Sequence, residues 1–153
     1  MRKVESIKTY QHYYLFQTIN YIENTALGTK INTHLTEKYY KESSIYIINY
    51  ICLAHLKSYK SYKEAIKKIF NYHYNIPLIL NENIILIPTE NIQSYNNKWI
   101  NISNVKLITK VSNNETKIMF KNGLEYTFNI STQKINTYTK RIDKIFQYYL
   151  KIK

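Results

Sequence analysis

Apolar and polar positions along this chain follow two different periods, and the switch between them marks out the elements. The first forty residues read as short strands. Tyr10–Phe16 and Thr18–Ile22 are rich in Tyr and Ile, and Thr29–Thr36 alternates Ile31, Thr33 and Leu35 with polar neighbours. The period then lengthens. Ser43 and Ser44 can cap a helix reaching about Leu56, with Ile48, Ile51, Cys52, His55 and Leu56 at helical spacing, although Ile45–Ile48 would also suit a buried strand. Ser61 and Glu64 have the spacing of a capping box, and Ala65, Ile66, Ile69 and Phe70 follow as an apolar stripe. Lys60, Lys63 and Lys67 share a face of this short basic helix, which Pro77 brings to an end.

Beyond Pro77 the pattern is a meander. Leu78–Leu80 and Ile84–Ile87 are split by Asn81-Glu82-Asn83, and Trp99–Ile102, Val105–Val111, Thr116–Phe120 and Leu124–Ile130 follow. The last hairpin has a register that can be worked out. A two-residue loop at Asn122-Gly123 would pair Phe120 with Glu125 and mix the two faces. A three-residue loop pairs Phe120 with Leu124, Ile118 with Tyr126 and Thr116 with Phe128, which predicts a type I turn with Gly123 left-handed in a G1 bulge. From about Thr132 a helix carries Ile135, Tyr138, Ile142, Ile145, Tyr149 and Ile152 at spacings of 3, 4, 3, 4, 3. That narrow seam packs on the sheet, with a dimer contact as the alternative. The expected fold class is α+β, an antiparallel β meander with two central short helices and a C-terminal amphipathic helix, in a single domain over 1–153.

Composition narrows the class. The 153 residues are enough for a sizeable core, and 44% hydrophobic content sets the chain apart from disordered tails. The longest apolar stretch, Ile45 to Ala54, is interrupted by Asn49 and too short to span a membrane, and the first residues hold no signal-like apolar core. A single cysteine, Cys52, fits a reducing compartment, so a cytoplasmic location is expected. Gly28 and Gly123 stand alone, which leaves no glycine-rich phosphate cradle. The four histidines and ten acidic residues show no metal-ligand or catalytic spacing, so no enzyme activity, cofactor or metal is expected.

Ile, Lys, Asn and Tyr supply 80 of the 153 residues, and their A/T-rich codons account for much of the bias. The +12 net charge is nevertheless uneven. Residues 57–70 carry five Lys against Glu64, and residues 134–153 carry six basic residues against Asp143. Tyr59 and Tyr62 interleave with Lys57, Lys60 and Lys63, a pattern that serves either phosphate contacts with base stacking or a solvated helix face. With only two Arg, guanine reading by guanidinium is disfavoured, whereas Lys and Asn suit A·T-rich minor grooves.

An ordered series of short motifs adds to this. It runs Cys52, Ser58-Tyr59, Lys60/Lys63, Ile76-Pro77-Leu78, Ile87-Pro88-Thr89, Trp99-Ile100, Phe120-Lys121-Asn122-Gly123, Ile130-Ser131 and Arg141. In this order it resembles the bacterial competence transcription factor family, ComK, over about residues 45–141. Two motifs depart from the family pattern: Ile76-Pro77 stands for a double proline, and Ile87-Pro88-Thr89 for Phe-Pro-Thr. The resemblance implies a cytoplasmic, nucleoid-associated activator of DNA-uptake genes. It would bind A-tract/T-tract boxes through the minor groove, as dimers assembling to tetramers, with RNA polymerase as a further partner. Longer members continue into a tail associated with activation and proteolysis, and the end at Lys153 speaks against MecA/ClpC-type adaptor-protease control.

The first reading is therefore an A/T-preferring duplex-binding regulator. Lys57, Tyr59, Lys60, Lys63, Lys67 and Lys68 would form its main DNA surface, and Lys140, Arg141 and Lys144 a second one or a dimer rim. The second is a sequence-tolerant single-strand DNA or RNA module that stacks bases on its tyrosines. The third is a basic surface for an acidic partner or an anionic membrane.

Overall fold

The computed structural model describes residues 3–7 and 13–152. Its elements run β1 (Val4–Glu5), α1 (Tyr13–Gln17), β2 (Ile19–Thr25), β3 (Gly28–Thr33), β4 (Glu37–Tyr40), α2 (Ser44–Ala54), α3 (Tyr59–Phe70), β5 (Leu78–Asn81), β6 (Ile84–Pro88), β7 (Lys98–Asn101), β8 (Val105–Ser112), β9 (Glu115–Phe120), β10 (Glu125–Phe128) and α4 (Thr132–Lys151). The architecture is α+β, as expected. The strands form two sheets, one of seven strands in the order β1-β4-β3-β2-β7-β6-β5 and one of three in the order β10-β9-β8. All pairs are antiparallel except β1 with β4.

The central pairings set the layers. Ile22, Trp99 and Pro88 lie in one rung across β2, β7 and β6, and Tyr21, Ile100 and Ile87 in the adjacent one. Successive side chains point to opposite faces. Trp99 meets the Tyr59 ring of α3 edge-on at 5.8 Å, whereas Tyr21 packs against Phe120, Tyr126 and Phe128 of the small sheet. The large sheet is thus covered by helix on one face and by the small sheet on the other, which is why every residue of β6 is buried.

Asn101 pins this arrangement. Its fully buried amide donates to the carbonyls of Ile19 (2.9 Å) and Asn83 (3.0 Å) and accepts from the N–H groups of Ile85 (3.0 Å) and Ser103 (3.3 Å). One side chain therefore ties β2, the β5–β6 turn, β6 and the 3-10 turn after β7.

The last hairpin forms as its sequence predicts. Ile118 pairs with Tyr126 and Thr116 with Phe128, the Gly123 N–H bonds the Phe120 carbonyl at 2.9 Å, and Gly123 has φ of 92°. Strand β8 is exposed along almost its whole length. Lys106, Lys110 and two register irregularities blunt this edge against further pairing.

Several expectations are corrected. Tyr13–Gln17 is a short helix rather than part of a strand, and Tyr10–His12 lies outside the described residues. Strand β3 stops at Thr33 because the Thr33 N–H and hydroxyl both turn back to the Thr36 carbonyl, which leaves Leu35 exposed; β4 follows unforeseen. Helix α2 has the expected Ser43 cap but ends in a Schellman arrangement, in which Lys57 N–H bonds the Cys52 carbonyl and Leu56 N–H the Leu53 carbonyl. Leu56 is left-handed at φ 63° and 95% exposed, so it leaves the apolar face it was assigned to. Cys52 is fully buried, and desolvation pushes its thiol up to about 12.

Two substitutions test these anchors. Gly28 has φ of 145°, and a Cβ there would lie 2.0 Å from the Tyr40 carbonyl oxygen. Gly28→Ala should lower stability by at least about 2 kcal/mol in chemical denaturation. Asn101→Ala strands several buried backbone groups at once and should cost about 2–4 kcal/mol in the same measurement.

Candidate nucleic-acid interface

Helix α3 begins one turn earlier than its capping-box spacing suggests. Ser58 is the N-cap and accepts from the Ser61 N–H at 3.1 Å, so Ser61 sits inside the first turn. The helix ends at a left-handed Asn71 (φ 61°), whose N–H bonds the Lys67 carbonyl, well before Pro77. The earlier start extends the buried face by a turn. Tyr59, Tyr62 and Ile66 fill it, and Ala65 and Ile69 are exposed.

Both tyrosines are thereby used structurally. Tyr62 Oη donates to the Pro77 carbonyl at 2.6 Å and accepts from the Ile79 N–H at 3.1 Å. Tyr59 lies against Trp99 with Lys63 Nζ 4.5 Å above its ring, and Lys57 Nζ lies 5.8 Å above that of Tyr62. Neither ring is free to stack on a base, which corrects the role given to Tyr59.

At about 100° per residue, Lys60, Lys63 and Lys67 line one flank of α3 and Lys68 lies about 80° round from Lys60, out in solvent. That flank borders a groove of about 370 Å³ between α3, the segments 73–76 and 88–92, and the start of α4. Lys63 and Lys67 enter it from α3, and Lys134 enters from α4. The Lys134 Nζ donates to the Thr89 carbonyl at 3.0 Å. Burial pushes the Lys63 ammonium pKa down, and the Lys67 charge adds to this. Lys134 is also lowered by burial, with Glu90 opposing the shift.

The C-terminal basic set divides. Lys140 and Lys144 are exposed one helical turn apart on the outer side of α4. Arg141 turns inward, donates to the carbonyls of Tyr74 and Asn75 (3.0 Å to the latter) and sits 4.2 Å from the Tyr72 ring centroid. It is a clamp on the loop after α3 rather than a free cation. The seam of α4 is buried at Ile135, Tyr138, Ile142 and Ile145, while Tyr149 and Ile152 are exposed.

The structure thus gathers Tyr59, Lys63 and Lys67 with Lys134, Tyr138 and Glu90, and keeps Lys68, Lys140 and Lys144 apart from them. The sequence reading passed over Lys134 as a site residue. Its only local signal was membership of the C-terminal basic run, because its approach to Lys63 comes from the docking of α4.

The fold and this groove define a basic α+β protein with three lysines along one recess. The family model described as ComK protein matches residues 14–152, and the chain belongs to that family. It is a family of competence transcription factors rather than of enzymes, which makes the chain a DNA-binding regulator at that level. No curated protein and no solved structure matches the chain. Among the described residues no helix is long and apolar enough to cross a membrane.

A DNA phosphate favours the charged form of a lysine, so affinity should be flat near neutrality and fall as pH rises through the lowered Lys63 and Lys134 values. The decline should come before that of ordinary surface lysines and should be shallower in Lys63→Ala. Anisotropy titrations of a labelled duplex from about pH 7 to about pH 10 would read this.

Proposed function

We propose that the chain binds A/T-rich duplex DNA, through the minor groove and as a homo-oligomer, to regulate genes for DNA uptake. The observation that carries the reading is the flank of α3, where Lys60 and Lys67 are exposed and Lys63 reaches over the Tyr59 ring beside them. Lysines on flexible stems neutralise backbone phosphates without reading bases, so selectivity falls to groove width and to acceptors in A·T tracts. Lys57 and Lys68 extend this positive field to either end of the helix. Lys140 and Lys144 form a separate basic strip on α4, available to a second stretch of duplex or to the rim of a second copy.

The burial of Tyr59 and Tyr62 weighs against the single-strand reading, which needs exposed rings as stacking platforms. Replacing Lys60, Lys63 and Lys67 together by Ala should weaken binding to every duplex. It should also flatten the slope of log affinity against log salt by up to about 3 units. Fluorescence anisotropy at several salt concentrations measures this, with circular dichroism as the check on folding. An unchanged slope in a folded variant would move the interface elsewhere, and a preference for single strands in competition would reverse the choice of substrate.

A further inference from the structure

We propose that the outward face of α2, with Leu56 beyond its end, is the contact on which a second copy of this chain docks. The inference rests on the homo-oligomer of the duplex-binding reading and names the surface that makes it.

Helix α2 is apolar on both sides. Its inward residues Ile47, Ile48, Ile51 and Cys52 are fully buried, yet Tyr46 and Leu53, two turns apart on the opposite side, are 54% and 55% exposed. A helix at the surface of a monomer normally turns a charged side to water. This one has none to turn. Residues 43–56 and 9–22 are the two longest stretches without Asp, Glu, Lys or Arg, fourteen residues each. The fold brings them together, because Phe16 of α1 meets the Tyr50 ring of α2 edge-on at 6.1 Å.

A second observation comes from the backbone. Leu56 holds the left-handed position that closes the helix, where Gly or Asn fits with less strain, and is 95% exposed. A large apolar side chain there adds nothing to the core and extends the uncharged face.

Charge selects the occupant. The chain carries +12, so two copies repel wherever their lysines meet. Other exposed apolar groups are interleaved with lysine: Leu107, Ile108 and Val111 with Lys106 and Lys110 on β8, and Leu150 and Ile152 with Lys151 on α4. Around α2 the flanking lysines, Lys41 and Lys57, come beyond its two ends. The helix is about 16 Å long, so from its middle they stand about a Debye length away at physiological salt, where repulsion is largely screened. An acidic partner would be drawn instead to the lysines of α3 and α4. The same face on both copies closes the contact by a two-fold axis. A few exposed side chains make a patch at the low end of specific interfaces, which sets a weak dimer with Kd of about 10–100 μM.

The test is sedimentation velocity of the whole chain without DNA, from about 1 to about 300 μM protein and at about 0.1 and about 0.5 M salt. The expected result is a monomer–dimer equilibrium that tightens with salt as repulsion is screened, whereas duplex binding weakens. Leu53→Gln combined with Leu56→Asn should weaken the dimer at least about tenfold, and Tyr46→Gln, at the other end of the face, should act in the same direction. In dilute solution the double variant should unfold at an unchanged or higher midpoint, since Asn relieves the left-handed strain. It should also bind a duplex carrying one A/T tract as the unaltered chain does.

A chain that stays monomeric throughout would give the face to a different partner and overturn the proposal. A dimer indifferent to the variants, a dimer that loosens with salt, or a loss of single-tract affinity in the double variant would each overturn it as well. The self-association readout holds no DNA, so a failure of duplex binding and a failure of this contact are seen separately.

Discussion

The pairing of β2 with β7 is the contact on which the other layers depend. It joins the strands before the two central helices to those after them, and the two-residue period of a strand makes its register decide both faces at once. With Tyr21 opposite Ile100 and Ile22 opposite Trp99, aromatic groups go to the small sheet on one side and to α3 on the other. A slip by one residue would exchange them. Asn101 prevents the slip by holding the Ile19 carbonyl from within the neighbouring strand, and Asn104 donates to the same oxygen at 2.6 Å. On the next rung Glu23 faces Lys30 at 2.8 Å and Lys98 at 3.8 Å. Burial alone would lower the Lys30 pKa, but its hydrogen bonds to Glu23 and Tyr21 and their charges together outweigh burial and raise it.

From that pairing a line of contacts leads to the groove. Trp99 stands on β7, Tyr59 rests against Trp99, and Lys63 lies over Tyr59. The abundance of Tyr then has a structural use beyond codon bias. A phenol buries its ring like Phe and still reaches a strand carbonyl with its hydroxyl, as Tyr62 does at Pro77 and Tyr138 at Pro88. Pro77 directly precedes β5 and Pro88 ends β6, so these rims of the sheet are finished by helix side chains.

What could be read in advance was mostly local. The hairpin around Gly123 was legible to the residue pair, because loop length and facing side chains lie within a dozen positions. The helices at Ser43, around Lys60–Lys67 and after Thr132 were legible from period and caps. The division into two sheets was not, since the same strands would make one meander unless β2 came back to take β7. The start of α3 was misplaced because Ser58 and Ser61 both suit a cap, and only the packing of Tyr59 against Trp99 chooses between them. The fate of the cations was the least legible. Lys68 and Lys63 look alike in sequence, yet one is solvated and the other lines a recess, while Lys134 and Arg141 owe their positions to how α4 docks.

Arg141 gives that docking a mechanical meaning. The segment between α3 and β5 has no regular hydrogen-bond ladder of its own, and it forms one wall of the groove. Its shape is set from a helix that follows it by more than sixty positions, through two carbonyl contacts and a stacked phenol. The wall of the groove and the seat of α4 are therefore held by the same side chain, so losing the guanidinium would loosen both at once.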